Sequence, residues 1–165
     1  MSWMRRTGRK EPVYGEQGLR LLNLSRAQGL LYRFWRFDAF TNIGNSEISE
    51  FVATASGVTV SSGTWTASGD RLSNFNAAAM KDGALGTRAV ILSSVGSAAA
   101  LQYDHGSPVQ CDGFRYAIWS GADTQFLTGL RVSGSNDGTN YVIVRTFSGM
   151  GARANSTLSP IFSWA

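Results

Sequence analysis

The sequence has one cysteine, one histidine, few charges and no long apolar run, and each shortage excludes something. With Cys111 alone, no intramolecular disulfide can form, so the fold must stand on packing, as suits assembly in a reducing cytoplasm. His105 alone cannot build a histidine-rich metal centre, and its neighbour Asp104 is expected on the opposite face of a strand. No G-x-S-x-G motif, paired carboxylates or phosphate loop is present, and Cys111 lacks an activating context, so no enzymatic activity is expected. Charged residues are only 16% of the chain, too few for long solvated helices. Without a run of about 18 apolar residues, no membrane insertion is expected. No apolar stretch follows the basic N-terminus, so no secretion signal is expected, and the glycosylation-like patterns at Asn23 and Asn155 read as chance.

What is abundant is glycine, with serine, threonine and alanine, a mixture suited to short strands and tight turns. The 165 residues suffice for one domain with a real core. The net charge of +4 is unevenly placed. Residues 1–36 hold Arg5, Arg6, Arg9, Lys10, Arg20, Arg26, Arg33 and Arg36 against Glu11 and Glu16, a balance of +6. Residues 37–165 hold seven basic and nine acidic residues, a balance of −2. The basic pI thus belongs to an arm. The body has no basic patch interleaved with aromatics, so nucleic-acid binding is not expected of it.

Residues 1–29 have neither period 2 nor period 3.6. Their apolar residues, Trp3, Met4 and Tyr14 among them, stand beside Arg5, Arg6, Arg9 and Lys10, a composition that anchors in a partner's groove. The plainer alternative is a terminus that happens to contain tryptophan. A short helix fits Leu19 to Leu31, bounded by Gly18 and Gly29.

From residue 30 the pattern is β. Alternation over Tyr32–Phe40 puts Trp35, Phe37 and Ala39 on one face, with Arg33 sharing it at the start, where it can reach solvent or a carboxylate. Strands are predicted over Ile48–Ala53, over Ala98–Asp104 ending at His105-Gly106, over Phe114–Ile118 and over Gly129–Ser133. A tight hairpin at Ser135-Asn136-Asp137-Gly138 leads to a strand over Tyr141–Phe147, and the last strand covers Leu158–Trp164. Residues 54–75 are rich in Ser, Thr and Gly, and Trp65 stands isolated among them. Strands at this spacing predict an all-β antiparallel sandwich or jelly roll over residues 30–165.

Four segments together resemble the discoidin, or coagulation-factor type C, branch of galactose-binding-like domains. Ser133–Val142 is similar to that family's S-x-D-G hairpin, and Leu101–Val109 to its aspartate- and glycine-bearing strand. Met80–Thr87 is similar to its D-G-x-x-x-T loop, and Tyr32–Phe37 with Ile48–Phe51 to the pair that usually closes the domain. Here the closing pair comes first. This permuted order resembles domains of bacteriophage tail, baseplate, fibre and head proteins, and permutation costs little where termini lie close together.

The resemblance implies three things. Glu50, Asp82 and Thr87, with backbone oxygens near Met80, would hold a structural calcium, a hard cation suited to oxygen ligands; no other cofactor is expected. Ala84 and Arg88 depart from the Asn and Trp common in that loop, and Arg88 brings a positive charge near the site. The alternative is an Asp82 turn cap with a Glu50–arginine ion pair. Trp65, His105 and Trp119 would be the glycan-binding groups, the alternative being that large aromatics in a sandwich are core. The expected role is a non-catalytic virion protein, tail-associated or capsid-decorating, assembled in the host cytoplasm. It would dock on other virion proteins through the arm, with homo-oligomers in the particle; the alternative is a module binding cell-surface carbohydrate.

Overall fold

The computed structural model describes residues 30–42, 44–60, 63–68, 77–91, 99–119, 126–151 and 156–164. The arm with its anchors Trp3, Met4, Arg5, Arg6, Arg9, Lys10 and Tyr14, and the helix predicted from Leu19, lie outside the described residues except at Leu30 and Leu31. Neither is helical: Leu31 opens the first strand and Leu30 precedes it. Ten strands are described: β1 (Leu31–Asn42), β2 (Ser46–Ala55), β3 (Val58–Thr59), β4 (Thr64–Ser68), β5 (Ala89–Ile91), β6 (Ala100–Gln110), β7 (Gly113–Ile118), β8 (Leu127–Ser135), β9 (Val142–Ser148) and β10 (Phe162–Ser163). One sheet has the order β4-β6-β1-β8-β9 and the other β10-β7-β2-β3, with β5 on the far end of β2. All pairings are antiparallel. The two sheets pack as the sandwich that the alternation predicts. Among the described residues no helix is long and apolar enough to cross a membrane.

Alternate residues of both sheets meet between them. Trp35 and Phe37 of β1, Leu101 and Tyr103 of β6 and Val132 of β8 face Phe51 of β2 and Phe114 and Tyr116 of β7, all fully buried. Phe37 meets Phe51 edge-on at 4.8 Å and Phe114 at 5.8 Å, a geometry aromatic quadrupoles favour. Burial of each such ring stabilises the fold by about 1.5–3 kcal/mol.

Strict alternation fails in two places, for the same reason. Ala39 was expected to face inward with Trp35 and Phe37, but it adopts φ +49° and the β1–β8 register shifts between Asp38 and Thr41. This is a bulge, and it hands the inward position to Phe40, which is buried. In β6 the strand does not end at His105-Gly106. Gly106 takes φ +76° and donates its N–H to Asp104 Oδ1 at 2.8 Å, and pairing resumes at Val109 opposite Tyr32. Arg33 lies opposite this excursion and its guanidinium forks onto Asp104 at 2.8 and 3.0 Å, so the carboxylate partner is the one realised.

Three smaller departures follow from tertiary pairing. Trp65 is not isolated; it sits on β4, which pairs with β6. The β8–β9 connection spans residues 136–141, longer than a tight hairpin. Of the predicted last strand only Phe162 and Ser163 pair, with Phe114 and Gly113 of β7. The two ends of the described chain meet: Leu31 pairs with Gln110, while Trp164 donates its N–H to Asp112 O and its indole N–H to Cys111 O, both at 3.0 Å.

Candidate functional site

The segment 78–88 is a 3-10 turn (Ala78–Met80) followed by a loop, pinned to the core by the buried Met80. Asp82 opens that loop. Its Oδ1 accepts the Ala84 N–H at 2.8 Å and its Oδ2 accepts the Thr87 hydroxyl at 2.6 Å. The Thr87 oxygen also lies 2.9 Å from Ala84 O and 3.4 Å from Ala79 O. Ala84 O also accepts the Thr87 N–H at 3.2 Å, so with the hydroxyl proton on Asp82 the acceptor left over among these three is Ala79 O.

Glu50 of β2 stands behind the turn. It is 6% exposed, and its Oε1 has no hydrogen-bond partner. Burial, with the adjacent Asp82 carboxyl adding to it, pushes its pKa up to about 7 against the pull of the Gly83 and Ala84 amides. The structure thus brings Glu50, Asp82 and Thr87 together. Asp82 does cap its own turn, as the plainer reading expected, but that reading's Glu50–arginine pair does not form among the described residues. Arg88 turns away: its Nη1 meets Glu47 Oε2 at 2.6 Å and its head lies 4.2 Å from the Trp119 ring centre. No group of three or more His, Cys, Asp and Glu placed to hold a metal occurs among the described residues. A cation here would therefore rest on two carboxylates, a hydroxyl and carbonyls. The orphaned, buried Glu50 Oε1 and the spare Ala79 O fit a hard divalent ion.

Two of the three aromatic candidates, Trp65 and His105, pack on the same ring, Tyr103 of β6, and Trp119 lies apart from them. Trp65 stacks on Tyr103 at 4.3 Å and packs against the core, one edge lining a cavity of about 200 Å³ with Glu50, Val52, Val60 and Lys81. Trp119, after β7 in the other sheet, is covered by Arg88 and donates its indole N–H to Gly86 O at 3.1 Å. His105 leans on Tyr103, ring centres 3.8 Å apart, with Nε2 3.9 Å from Cys111 Sγ. Burial lowers the His105 pKa to about 4 and raises that of Cys111 to about 12, the latter with help from Asp112. At neutral pH the pair is a neutral imidazole beside a protonated thiol. Sequence reasoning missed the Cys111–His105 approach, because it depends on the β6 bulge.

Comparison of the chain with family models, with curated proteins and with solved structures found no match.

Proposed function

We propose that this protein is a non-catalytic structural component of a bacteriophage particle. It is a discoidin-type, galactose-binding-like sandwich in permuted order, assembled in the host cytoplasm, that docks on neighbouring virion proteins through residues 1–29. The observation that carries this reading is the end of the sandwich where that arm joins. Leu30, Leu31, Val58 and Ile161 are large apolar residues left exposed, Val58 at 68% and Leu31 at 58%. Contacts tie them to one end: Leu31 pairs with Gln110, and Asp112 accepts the N–H of Ser56. Gly57, beside Val58, has Ile161 Cδ1 3.9 Å from where a β-carbon would sit. An apolar patch at the root of a basic, aromatic-bearing arm is surface that a neighbour covers on assembly.

Two further observations support the reading. Residues 31 and 164 are both held by segment 110–112, the proximity that makes a permuted order cheap. With pKa values of about 12 and about 4, the Cys111 thiol is scarcely ionised at neutral pH and the His105 ring is a weak base. In the same reading Glu50, Asp82, Thr87 and the Ala79 and Ala84 carbonyls hold calcium. The ion would supply charge neutralisation between β2 and the 81–88 loop.

The test is cosedimentation with the assembled particle of the full chain, of Leu31→Asp and Val58→Asp variants, and of a form lacking residues 1–29 whose fold is verified by circular dichroism. The reading expects the full chain alone to bind at full occupancy. Equal binding by all four forms removes the arm and the patch from docking.

A further inference from the structure

The outer face of the β4-β6-β1-β8-β9 sheet carries a second surface, formed by outward positions of its five strands and the 136–141 loop. Register aligns Thr66, Gln102, Arg36, Ser133 and Ile143 in one row across β4, β6, β1, β8 and β9, with Asp38 and Arg131 paired alongside. Arg36, Asp38, Arg131, Ser133, Tyr141 and Ile143, with Thr139 at the rim, line a groove of about 340 Å³. That is within the range of about 300–1,000 Å³ usual for small-ligand sites.

Asp38 organises the charges. Its carboxylate is almost fully covered and receives Arg131 Nε and Nη2 at 2.8 and 3.0 Å, while Arg36 Nε lies 2.9 Å from its Oδ2. Two guanidiniums share one carboxylate, so these three groups carry a net positive charge at the groove floor, while the Asp137 carboxylate stands at the rim, bonded to the Thr139 N–H. Both heads stay about two-fifths exposed, at 39% and 40%. A guanidinium carries five N–H donors, so both retain donors beyond those Asp38 takes. Next to them the Tyr141 hydroxyl donates to Gln102 Oε1 at 2.6 Å, which leaves the Gln102 amide N–H groups as donors. Arg36 also lies 5.6 Å from the Tyr141 ring centre, which fixes its plane. Ile143, 60% exposed, supplies an apolar wall.

We infer that this groove binds an acidic sugar unit of a surface polysaccharide, its carboxylate on Arg36 and Arg131 and its C–H face against Ile143. Each part of the ligand answers a feature of the groove. A planar carboxylate matches guanidinium forks, which bind such groups bidentately. Ring hydroxyls match Ser133, Thr139 and the Gln102–Tyr141 pair. A neutral sugar leaves the positive charge unanswered, while inorganic phosphate makes no use of Ile143. The donors are positioned at folding by buried Asp38, so little ordering remains to be done on binding. The groove is separate from the apolar docking end, so this inference and the virion reading stand or fall independently.

The experiment is calorimetric titration of the full chain with polygalacturonate and, in parallel, with an α2,8-linked sialic acid polymer, against dextran and inorganic phosphate. Binding of one or both acidic polymers, none of dextran, and an affinity that falls with salt are expected. Arg36→Gln leaves Asp38 paired with Arg131 and is expected to keep the fold while weakening binding at least tenfold. Ile143→Ser is expected to weaken it severalfold, and neither substitution should change cosedimentation with the particle. Silence with both acidic polymers, equal binding of dextran, or an Arg36→Gln variant that binds like the parent overturns the inference. So does phosphate binding as tightly as the polymers with Ile143→Ser neutral, which marks a general anion site.

Discussion

Two Asp-Gly turns, Asp82-Gly83 and Asp137-Gly138, carry the same local signal and have opposite characters. At Asp137 every feature is closed. Its Oδ1 accepts the N–H groups of Thr139 and Asn140 at 2.8 and 2.7 Å, its Oδ2 accepts the Asn140 amide at 2.8 Å, and Ser135 Oγ accepts the N–H of Asp137 and Gly138. These donors, the Asn140 side chain first, hold the Asp137 pKa far below the usual carboxylate range. At Asp82 the acceptors outnumber the donors and a second, buried carboxyl stands behind. One turn is complete in itself; the other has oxygen to spare. The difference comes from what packs behind each loop: the ring of Phe34 at Gly138, the carboxyl of Glu50 at Asp82.

The contrast can be broken in four ways, from the largest effect down. Calcium at about 100 times its Kd adds about 2.7 kcal/mol to the stability of a protein that binds it only when folded. For a chain of this size that is a rise of about 5–10 °C in Tm. Differential scanning fluorimetry should show the rise in the parent and in Asp137→Asn, and lose it in Asp82→Asn. Next, Gly138→Ala is expected to cost about 2–3 kcal/mol in urea unfolding, because φ is +73° and a β-carbon would meet the Phe34 ring at 3.2 Å. Gly83→Ala has nearly the same φ, +74°, but open space around it, so only the backbone term of about 1 kcal/mol remains. A cost at Gly83 as large as that at Gly138 would mean the two turns are equally crowded.

The fourth effect is spread over pH. His105 titrates near 4 in the fold and near 6.5 in the unfolded chain. Between those values the unfolded chain binds a proton that the fold does not, so stability falls as pH drops from about 6.5 to about 4. Glu50, which titrates near 7 in the fold, acts the other way across the same window, so the His105 part is read as a difference: on acidification His105→Gln should lose less Tm than the parent. Asp137 contributes in the same direction at lower pH: its stabilisation is present above the unfolded carboxylate range and is lost as pH falls through its depressed folded value.

How far the sequence could be read follows from where each signal resides. The strands carrying Phe34–Phe37, Phe114–Ile118 and Gly129–Ser133 announce themselves by alternation, because each buries one face. The Glu50–Asp82–Thr87 grouping was legible only through a family pattern, since 32 residues separate the first two and β2 alone does not say what packs against it. The bulges at Ala39 and at residues 105–108 were not legible: an extra residue is dictated by the partner strands. Trp65 was misplaced because β4 is a five-residue edge strand whose partner lies 36 or so positions away. The groove on the outer face was invisible for the same reason. Arg36, Gln102 and Ser133 become neighbours only through register, and polar residues facing out of a strand look alike until their row is known.

Strand β1 has a mechanical consequence. Its residues are bonded to β6 on one side and β8 on the other along most of its length, and it begins where residue 30 leaves the sandwich. Ladder bonds run perpendicular to the strand. A pull on the chain at residue 30, directed along β1, therefore loads the bonds of both ladders together, in shear, instead of peeling them one at a time. A domain tethered through its N-terminal segment would hang from the central strand of its sheet, and drag on the body would be shared between the strands on either side.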